Sequence, residues 1–135
     1  MRRPGLSDGP IVLDASALLA LLQNEPGAEV VADLLPHGIM SAVNLSEVVA
    51  KLMDHGMPLE EAREALDGLP IDVASFDRDA AFAAGELHGV TRGARLSLGD
   101  RACLALATRL GATAVTADRA WASLGDGIAR VTLLR

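Results

Sequence analysis

The apolar residues of the chain occur in short runs that alternate with segments of helical spacing. The run Ile11-Val12-Leu13 is typical of a buried strand, and the helical spacing that follows it stops near Pro26-Gly27. The same patterns predict strands at 11–13, 38–42, 71–73, 114–116 and 129–133, and helices at 15–23, 27–35, 44–53, 58–66, 80–90, 97–111 and 119–124. Strands that alternate with helices predict an α/β fold, a three-layer α/β/α sandwich around a mainly parallel sheet.

Residues at several helix starts support these boundaries. Asn44 is predicted to cap its helix, with Glu47 three residues on in the arrangement of a capping box. Pro58 fits the first turn of the next helix. Asp77 or Asp79 fits the cap of the helix after that.

The length of 135 residues suits a single domain, which we place at 11–135. The segment before it, MRRPGLSDGP, lacks the apolar segment of a signal peptide, and we expect a short flexible lead-in over 1–10. No apolar stretch approaches the roughly 18 residues that a membrane-spanning helix needs. The single cysteine, Cys103, has no partner for an intrachain disulfide and lies in an apolar helical run. We therefore expect a cytoplasmic protein, without a membrane partner, in which Cys103 is a core residue.

The charge of the chain limits how it could bind nucleic acid. Its formal net charge is −6, and its twelve basic residues are eleven arginines and one lysine, Lys51. Proteins that hold nucleic acid by charge alone carry a basic surface. Any nucleic-acid function of this chain must therefore rest on local chemistry.

Four acidic residues stand where a fold of this class brings side chains together. Asp14 and Asp118 each follow a predicted strand, and the carboxyl ends of parallel strands meet at one edge of a sheet. Glu47 and Asp100 lie in the first turn of predicted helices, which start at the same edge. Four carboxylates in one semi-buried cleft raise one another's pKa unless a cation lies between them. The pattern therefore indicates a divalent metal site.

Each of these acids also has a structural explanation. Asp14 and Asp118 can cap the helices that follow them. Glu47 can complete a capping box with Asn44, and Asp100 can interact favourably with the dipole of its helix. The structural explanation is slightly favoured for any one acid, whereas the joint placement of all four favours a site.

The donor types limit which metal such a site would bind. Oxygen-only ligands suit hard cations that keep several waters, so Mg²⁺ or Mn²⁺ is expected. Zinc would need His or Cys. His37, His55 and His88 lie away from the acidic positions and are predicted to be surface or cap residues.

Two hydroxyls stand beside the acids. Ser16 lies two residues after Asp14, and Thr116 lies two residues before Asp118. In an extended strand, residues two apart point to the same side, so Thr116 and Asp118 can both face the site. We predict that the hydroxyls orient carboxylates or metal-bound water. For Ser16, simple helix capping is an equal alternative.

Four segments of the chain resemble the PIN-domain ribonucleases and, among them, the VapC toxins of bacterial toxin–antitoxin pairs. The segments are VLDASAL (12–18), NLSEV (44–48), SLGDRACLALA (97–107) and TADRAW (116–121). The family's acidic quartet falls on Asp14, Glu47, Asp100 and Asp118, its supporting hydroxyl on Thr116 and more loosely Ser16, and its asparagine before the glutamate on Asn44. The aromatic residue three positions after the last acid is usually Phe and is here Trp121, which we expect to pack the terminal helix.

The resemblance implies an α/β/α sandwich and a metal-dependent endoribonuclease acting on single-stranded RNA. In such an enzyme a metal-activated water attacks the backbone phosphorus in line. The resemblance also implies a VapB-type antitoxin as partner and a homodimer, for which the apolar helices between 27 and 69 could supply contacts. Arg95, Arg101 and Arg119 lie beside the motifs; we predict solvated surface side chains, with phosphate contact as the alternative.

Three alternatives stay open from the residues. A haloacid-dehalogenase-like phosphatase also places an aspartate after its first strand, but it needs a second aspartate where this chain has Ser16. A receiver domain, a phosphate-handling binding module, needs a lysine after a late strand, whereas Lys51 lies in a predicted helix. A PIN-fold nuclease that processes other nucleic acids is the third.

Overall fold

The computed structural model of the protein describes residues 9–124 and 127–135, apart from the side chains of Val90 and Arg92. The lead-in predicted at 1–10 therefore lies outside the described residues except for Gly9 and Pro10. Within the described ranges, no helix is both long enough and apolar enough to cross a membrane.

Every predicted strand and helix has a counterpart in the structure, with small shifts at the ends. The strands are β1 (Ile11–Leu13), β2 (Gly38–Ser41), β3 (Asp72–Ala74), β4 (Thr113–Thr116) and β5 (Arg130–Leu133). The helices are α1 (Ala15–Leu22), α2 (Ala28–Leu34), α3 (Ala42–Asp54), α4 (Leu59–Asp67), α5 (Arg78–Val90) and α6 (Leu98–Leu110). Short 3₁₀ turns occupy Leu35–His37, Arg92–Ala94 and Arg119–Ser123.

The strands form one sheet in the order β3-β2-β1-β4-β5, and all four pairings are parallel. Helices α1 to α4 cover one face, and α5 and α6 cover the other. This arrangement confirms the predicted α/β/α sandwich, with a sheet that is wholly rather than mainly parallel. Because the chain leaves β1 over one face and reaches β4 over the other, the crevice beyond the carboxyl ends of β1 and β4 is a topological switch point. Open parallel sheets bind their ligands at such points.

Two apolar cores hold the layers together, and the central strand supplies both. Ile11 and Leu13 point into the core under α1 to α4, while Val12 points into the core under α6. Each of these side chains is at most 1% exposed, and full burial of one contributes about 1.5–3 kcal/mol. Trp121 is buried in the second core.

The start of α3 differs from the prediction. Ser41, the last residue of β2, caps the helix, and its Oγ accepts a hydrogen bond from the Val43 amide. Asn44 is therefore inside the helix, and Glu47 lies in its second turn rather than its first. The helix begins directly at the strand end without a loop, so the first side chain able to cap it takes the position.

Other helix starts follow the predictions more closely. Asp77 rather than Asp79 caps α5, and Ser97 caps α6 in a capping box with Asp100. Pro58 stands one position earlier than predicted, as the N-cap of α4.

Candidate active site

A cleft of about 210 Å³ opens at the switch point between β1 and β4. It is lined by Asp14, Ala15, Ser16, Leu19, Asn44, Glu47, Lys51, Asp100 and Asp118. All four predicted acids reach it, together with Ser16 and Asn44. Thr116 is not part of the lining but contacts Asp14 from behind.

Asp14 is the most tightly held of the four acids. Its amide donates to the Val115 carbonyl at 3.2 Å, which fixes the residue beside β4. Its Oδ1 accepts hydrogen bonds from the Ala17 amide at 2.9 Å and the Ser16 hydroxyl at 2.8 Å. Its Oδ2 accepts one from the Thr116 hydroxyl at 2.5 Å. Asp14 therefore caps α1 and lines the cleft at the same time.

Burial dominates the electrostatics of Asp14, which is only 4% exposed. Loss of hydration raises the pKa of this carboxyl from 3.8 to about 6, against the opposing effect of its three hydrogen bonds. The charge of Asp100 raises the pKa further. A positive charge in the cleft would favour the carboxylate form.

Ser16 and Thr116 join Asp14 to the end of β4. Their hydroxyl oxygens lie 3.2 Å apart, Ser16 Oγ accepts from the Ala117 amide, and Thr116 Oγ1 accepts from the Asp118 amide. Because Asp14 caps α1, the capping alternative for Ser16 is wrong. The orienting role predicted for both hydroxyls stays a prediction that these bonds support.

Asn44 ties Glu47 to the start of α6. Its Nδ2 donates to Glu47 Oε1 at 2.9 Å and to the Gly99 carbonyl at 3.1 Å. The carboxylate of Glu47 lies against the Cα of Gly99, where any side chain would overlap both of its oxygens. The predicted capping box between Asn44 and Glu47 is therefore wrong, and Asn44 positions the glutamate instead.

Asp100 and Asp118 each serve a local cap with one oxygen. Asp100 Oδ2 accepts from the Ser97 amide at 3.0 Å, and Asp118 Oδ1 accepts from the Ala120 amide at 3.0 Å. Neither Asp100 Oδ1 nor Asp118 Oδ2 has a hydrogen-bond donor among the described residues. The structural explanations for these two acids are correct, and they leave one oxygen of each available to a ligand.

The chemistry of this donor set fits a hydrated hard cation. Among residues 9–124 and 127–135, no three acidic, histidine or cysteine side chains already form a ready-made set of direct metal ligands. The four carboxylates instead share the rim of one cleft. Mg²⁺ commonly keeps several of its waters and uses few direct protein ligands, so a spaced set of carboxylates suits it.

The structure also shows how exposed Cys103, the three histidines and Arg101 are. Cys103 is fully buried, and burial raises the pKa of its thiol, with further contributions from the charges of nearby acids. His37, His55 and His88 are all exposed, as predicted. The prediction that Arg101 is a solvated surface side chain is wrong. Arg101 is half-buried, and its guanidinium donates to the Ala84 carbonyl at 3.2 Å, which ties α6 to α5.

Sequence reasoning missed four residues of the site: Ala15, Leu19 and Lys51 in the lining, and Gly99 against Glu47. Lys51 and Leu19 line the cleft, and each stands four residues after another lining residue of its helix, Glu47 and Ala15 respectively. That helical spacing was the available signal. Gly99 lies within the segment SLGDRACLALA, but its close approach to Glu47 has no signature in the sequence.

The chain belongs to the PIN-domain family, whose model matches residues 11–127. The chain is 34% identical to Ribonuclease VapC42 of Mycobacterium tuberculosis over 108 residues, which is 72% of this chain and 82% of that protein. This membership rules out the phosphatase and receiver alternatives.

Solved structures share the fold. A toxin–antitoxin complex from Klebsiella pneumoniae has a TM-score of 0.71 at 19% identity, covering 93% of this chain and 98% of that one. DNA-bound VapBC from Salmonella typhimurium has a TM-score of 0.73 at 16% identity, covering 94% and 99%.

Proposed function

We propose that this protein is a metal-dependent endoribonuclease that hydrolyses RNA phosphodiester bonds as the toxin of a type II toxin–antitoxin system. The observation that carries the proposal is the gathering of Asp14, Glu47, Asp100 and Asp118 around one cleft at the switch point of a PIN-domain chain. The 34% identity to a mycobacterial VapC ribonuclease supports the choice of RNA.

The catalytic roles follow from how each side chain is held. Asp14, Asp100 and Asp118 would hold Mg²⁺, or Mn²⁺ in its place, directly or through water. Such a cation would supply a lower pKa for a water molecule and stabilisation of the negative charge that develops on the phosphate. Glu47, oriented by Asn44, holds a ligand water or accepts the proton of the attacking water. The water oxygen bonds to phosphorus while the bond to the leaving oxygen breaks.

We further propose a VapB-type antitoxin as the protein partner, a homodimer as the assembly and the cytoplasm as the location. The similar folds include toxins solved with their antitoxins. The helices between 27 and 69 carry two large exposed apolar side chains, Met53 on α3 and Leu59 on α4. These residues are the contacts we expect a partner to use.

Removing either the cation or one carboxylate is expected to abolish cleavage of a single-stranded RNA. In Mg²⁺ the wild type should cut the RNA, and EDTA should stop the reaction until Mg²⁺ is restored. Asp100→Asn should lose at least about 100-fold in kcat/KM, the scale for losing one preorganised group at a developing charge. Asp72→Asn, in an exposed strand residue outside the cleft, is the matched control.

The same protein preparation also tests the alternative that the chain is a PIN-fold nuclease that processes other nucleic acids. Single-stranded DNA of the same sequence should stay intact; faster cutting of the DNA would favour a PIN nuclease of another substrate. Equal cleavage of RNA by the wild type and Asp100→Asn would show that the activity comes from a contaminant or another site, and the proposal would be lost.

Gly99→Ala is expected to lower RNA cleavage about 10- to 100-fold without unfolding the protein. The new methyl group would displace the Glu47 carboxylate, and an error of about 1 Å in a catalytic group costs on that scale. Alanine favours a helix over glycine by roughly 0.5–1 kcal/mol, which opposes the cost of displacing Glu47. The melting temperature should therefore hardly change. Gly85→Ala, in open space on α5, is the control. In a Glu47→Gln background, Gly99→Ala should cause no further loss of RNA cleavage. An equally large further loss in that background would contradict the explanation.

A further inference from the structure

Among the residues that the structure describes, Lys51 is the one basic residue that lines the cleft, and it is the single lysine of the chain. It stands on α3 one helical turn after Glu47, which places it about 6 Å further along the helix axis. The side chain is exposed. Lys51 therefore lines the cleft while its side chain stays accessible to solvent.

The part of the chain that the structure describes leaves the ammonium group of Lys51 without an ion-pair partner. Within residues 9–124 and 127–135 no carboxylate lies within 4.0 Å of it, not even that of Glu47 on the same helix face. The arginines near the motifs do not line the cleft. Arg101 donates to the Ala84 carbonyl, and Arg95 and Arg119 are not among the lining residues.

The charge of the cleft creates a problem for an anionic substrate. Four carboxylates face one ammonium group, in a chain of net charge −6. A cation bound by the carboxylates would offset their charge at the phosphate that is cut, but the neighbouring phosphates of the strand would still approach an acidic surface. A lysine is a compact charge on a flexible stem and can follow such a phosphate.

We propose that Lys51 binds the phosphate next to the one that is cut, and so supplies the substrate affinity that the acidic cleft lacks. The proposal rests on the proposed function, since it assumes an RNA strand in this cleft. Lys51 acts here on binding and leaves the chemical step to the carboxylates.

The first test measures binding of a labelled single-stranded RNA oligonucleotide in Mg²⁺, with every variant made in an Asp100→Asn background so that the RNA stays intact. Lys51→Met is expected to weaken binding about tenfold at low salt. It should also reduce the slope of log K against log salt by about 0.7, the value for one lost phosphate contact on a single strand. Lys51→Arg should keep the slope and most of the affinity. Arg63→Met, which removes an equal charge from the exposed surface of α4, should change neither.

The second test uses the fact that the chain has one lysine. In the folded Asp100→Asn protein, which leaves the RNA intact, the amines open to acetylation are Lys51 and the α-amino group, and mass spectrometry separates the two. RNA with Mg²⁺ should slow acetylation of Lys51 severalfold and leave the terminus unchanged, whereas Mg²⁺ alone should not protect Lys51.

Two results would overturn the proposal. One is an equal loss of RNA affinity in Lys51→Met and Arg63→Met, which would mean that only net charge matters. The other is tighter Mg²⁺ binding by Lys51→Met with an unchanged salt slope for RNA, which would mean that Lys51 only balances the carboxylates. Both readouts are binding measurements, so a wild type that binds RNA without cutting it would defeat the proposed function, and a reduced salt slope in Lys51→Met would still show that Lys51 contacts an RNA phosphate.

Discussion

Asp14→Asn is expected to lower RNA cleavage in Mg²⁺ by about 10³-fold, the largest effect of any single substitution in the cleft. Asp14 is the most buried of the four acids, and three hydrogen bonds fix its oxygens. The amide keeps the shape of the carboxylate but carries no charge for a cation. The measurement is kcat/KM on a single-stranded RNA at saturating Mg²⁺, with Mg²⁺ affinity from calorimetry.

The fold of Asp14→Asn should survive, which makes the loss of activity interpretable. The amide oxygen can accept from Ser16 and Ala17, while the amide nitrogen can donate to the Thr116 hydroxyl, which reverses one bond of the network. Asp77→Asn, at the cap of α5 outside the cleft, is the control for losing an acidic cap. Cleavage by Asp14→Asn within tenfold of the wild type would remove Asp14 from the catalytic set.

The stability of the metal-free protein is expected to fall by about 2 kcal/mol as the pH rises from about 4 to about 6, because of Asp14 alone. Burial raises the pKa of this carboxyl from 3.8 in the unfolded chain to about 6 in the fold, so the folded state holds the proton more tightly. Such a group contributes stability that is fully present below the unfolded pKa and is lost as the pH passes through the folded pKa. About half of the loss falls above pH 5.

The comparison that isolates this effect is urea unfolding of the wild type and Asp14→Asn in EDTA, from about pH 5 to about pH 8. The difference between the two should grow with pH in favour of the variant and level off above about pH 7. Mg²⁺ should restore stability to the wild type more than to the variant, since a ligand of the folded state stabilises it by mass action. A difference that does not change with pH would contradict the burial of a charged Asp14.

The layers of the fold and the edge that carries the site could be predicted from local patterns. Short apolar runs marked the strands, and helical spacing between them implied parallel pairing. An aspartate after β1 and another after β4 then implied one shared edge, because parallel strands end on the same side. The structure bears this out, since Leu13 lies opposite Val115 and Asp14 and Asp118 reach the same cleft.

The contacts inside the site could not be predicted in the same way. The sequence predicts Asn44 as a cap because a capping side chain and a positioning side chain have the same polar signature. Only the structure separates the two roles, since Ser41 caps the helix three residues earlier and leaves Asn44 to bind Glu47. Arg101 was assigned to the surface because an arginine beside a motif carries no sign of the carbonyl it will meet. Gly99 depends on Glu47, which is distant in sequence.

By itself the sequence determined the α/β class of this protein and the end of the sheet where its four acidic residues lie, because periodicity marks each strand and helix locally and parallel strands end on the same side. Tertiary structure alone decided that Asp14 is buried with a raised pKa, that Asn44 joins Glu47 to Gly99, and that Lys51 lines the cleft. Burial and through-space contact arise only when α1, α3 and α6 pack around the end of the sheet. No pattern within one segment records which neighbours that packing will bring.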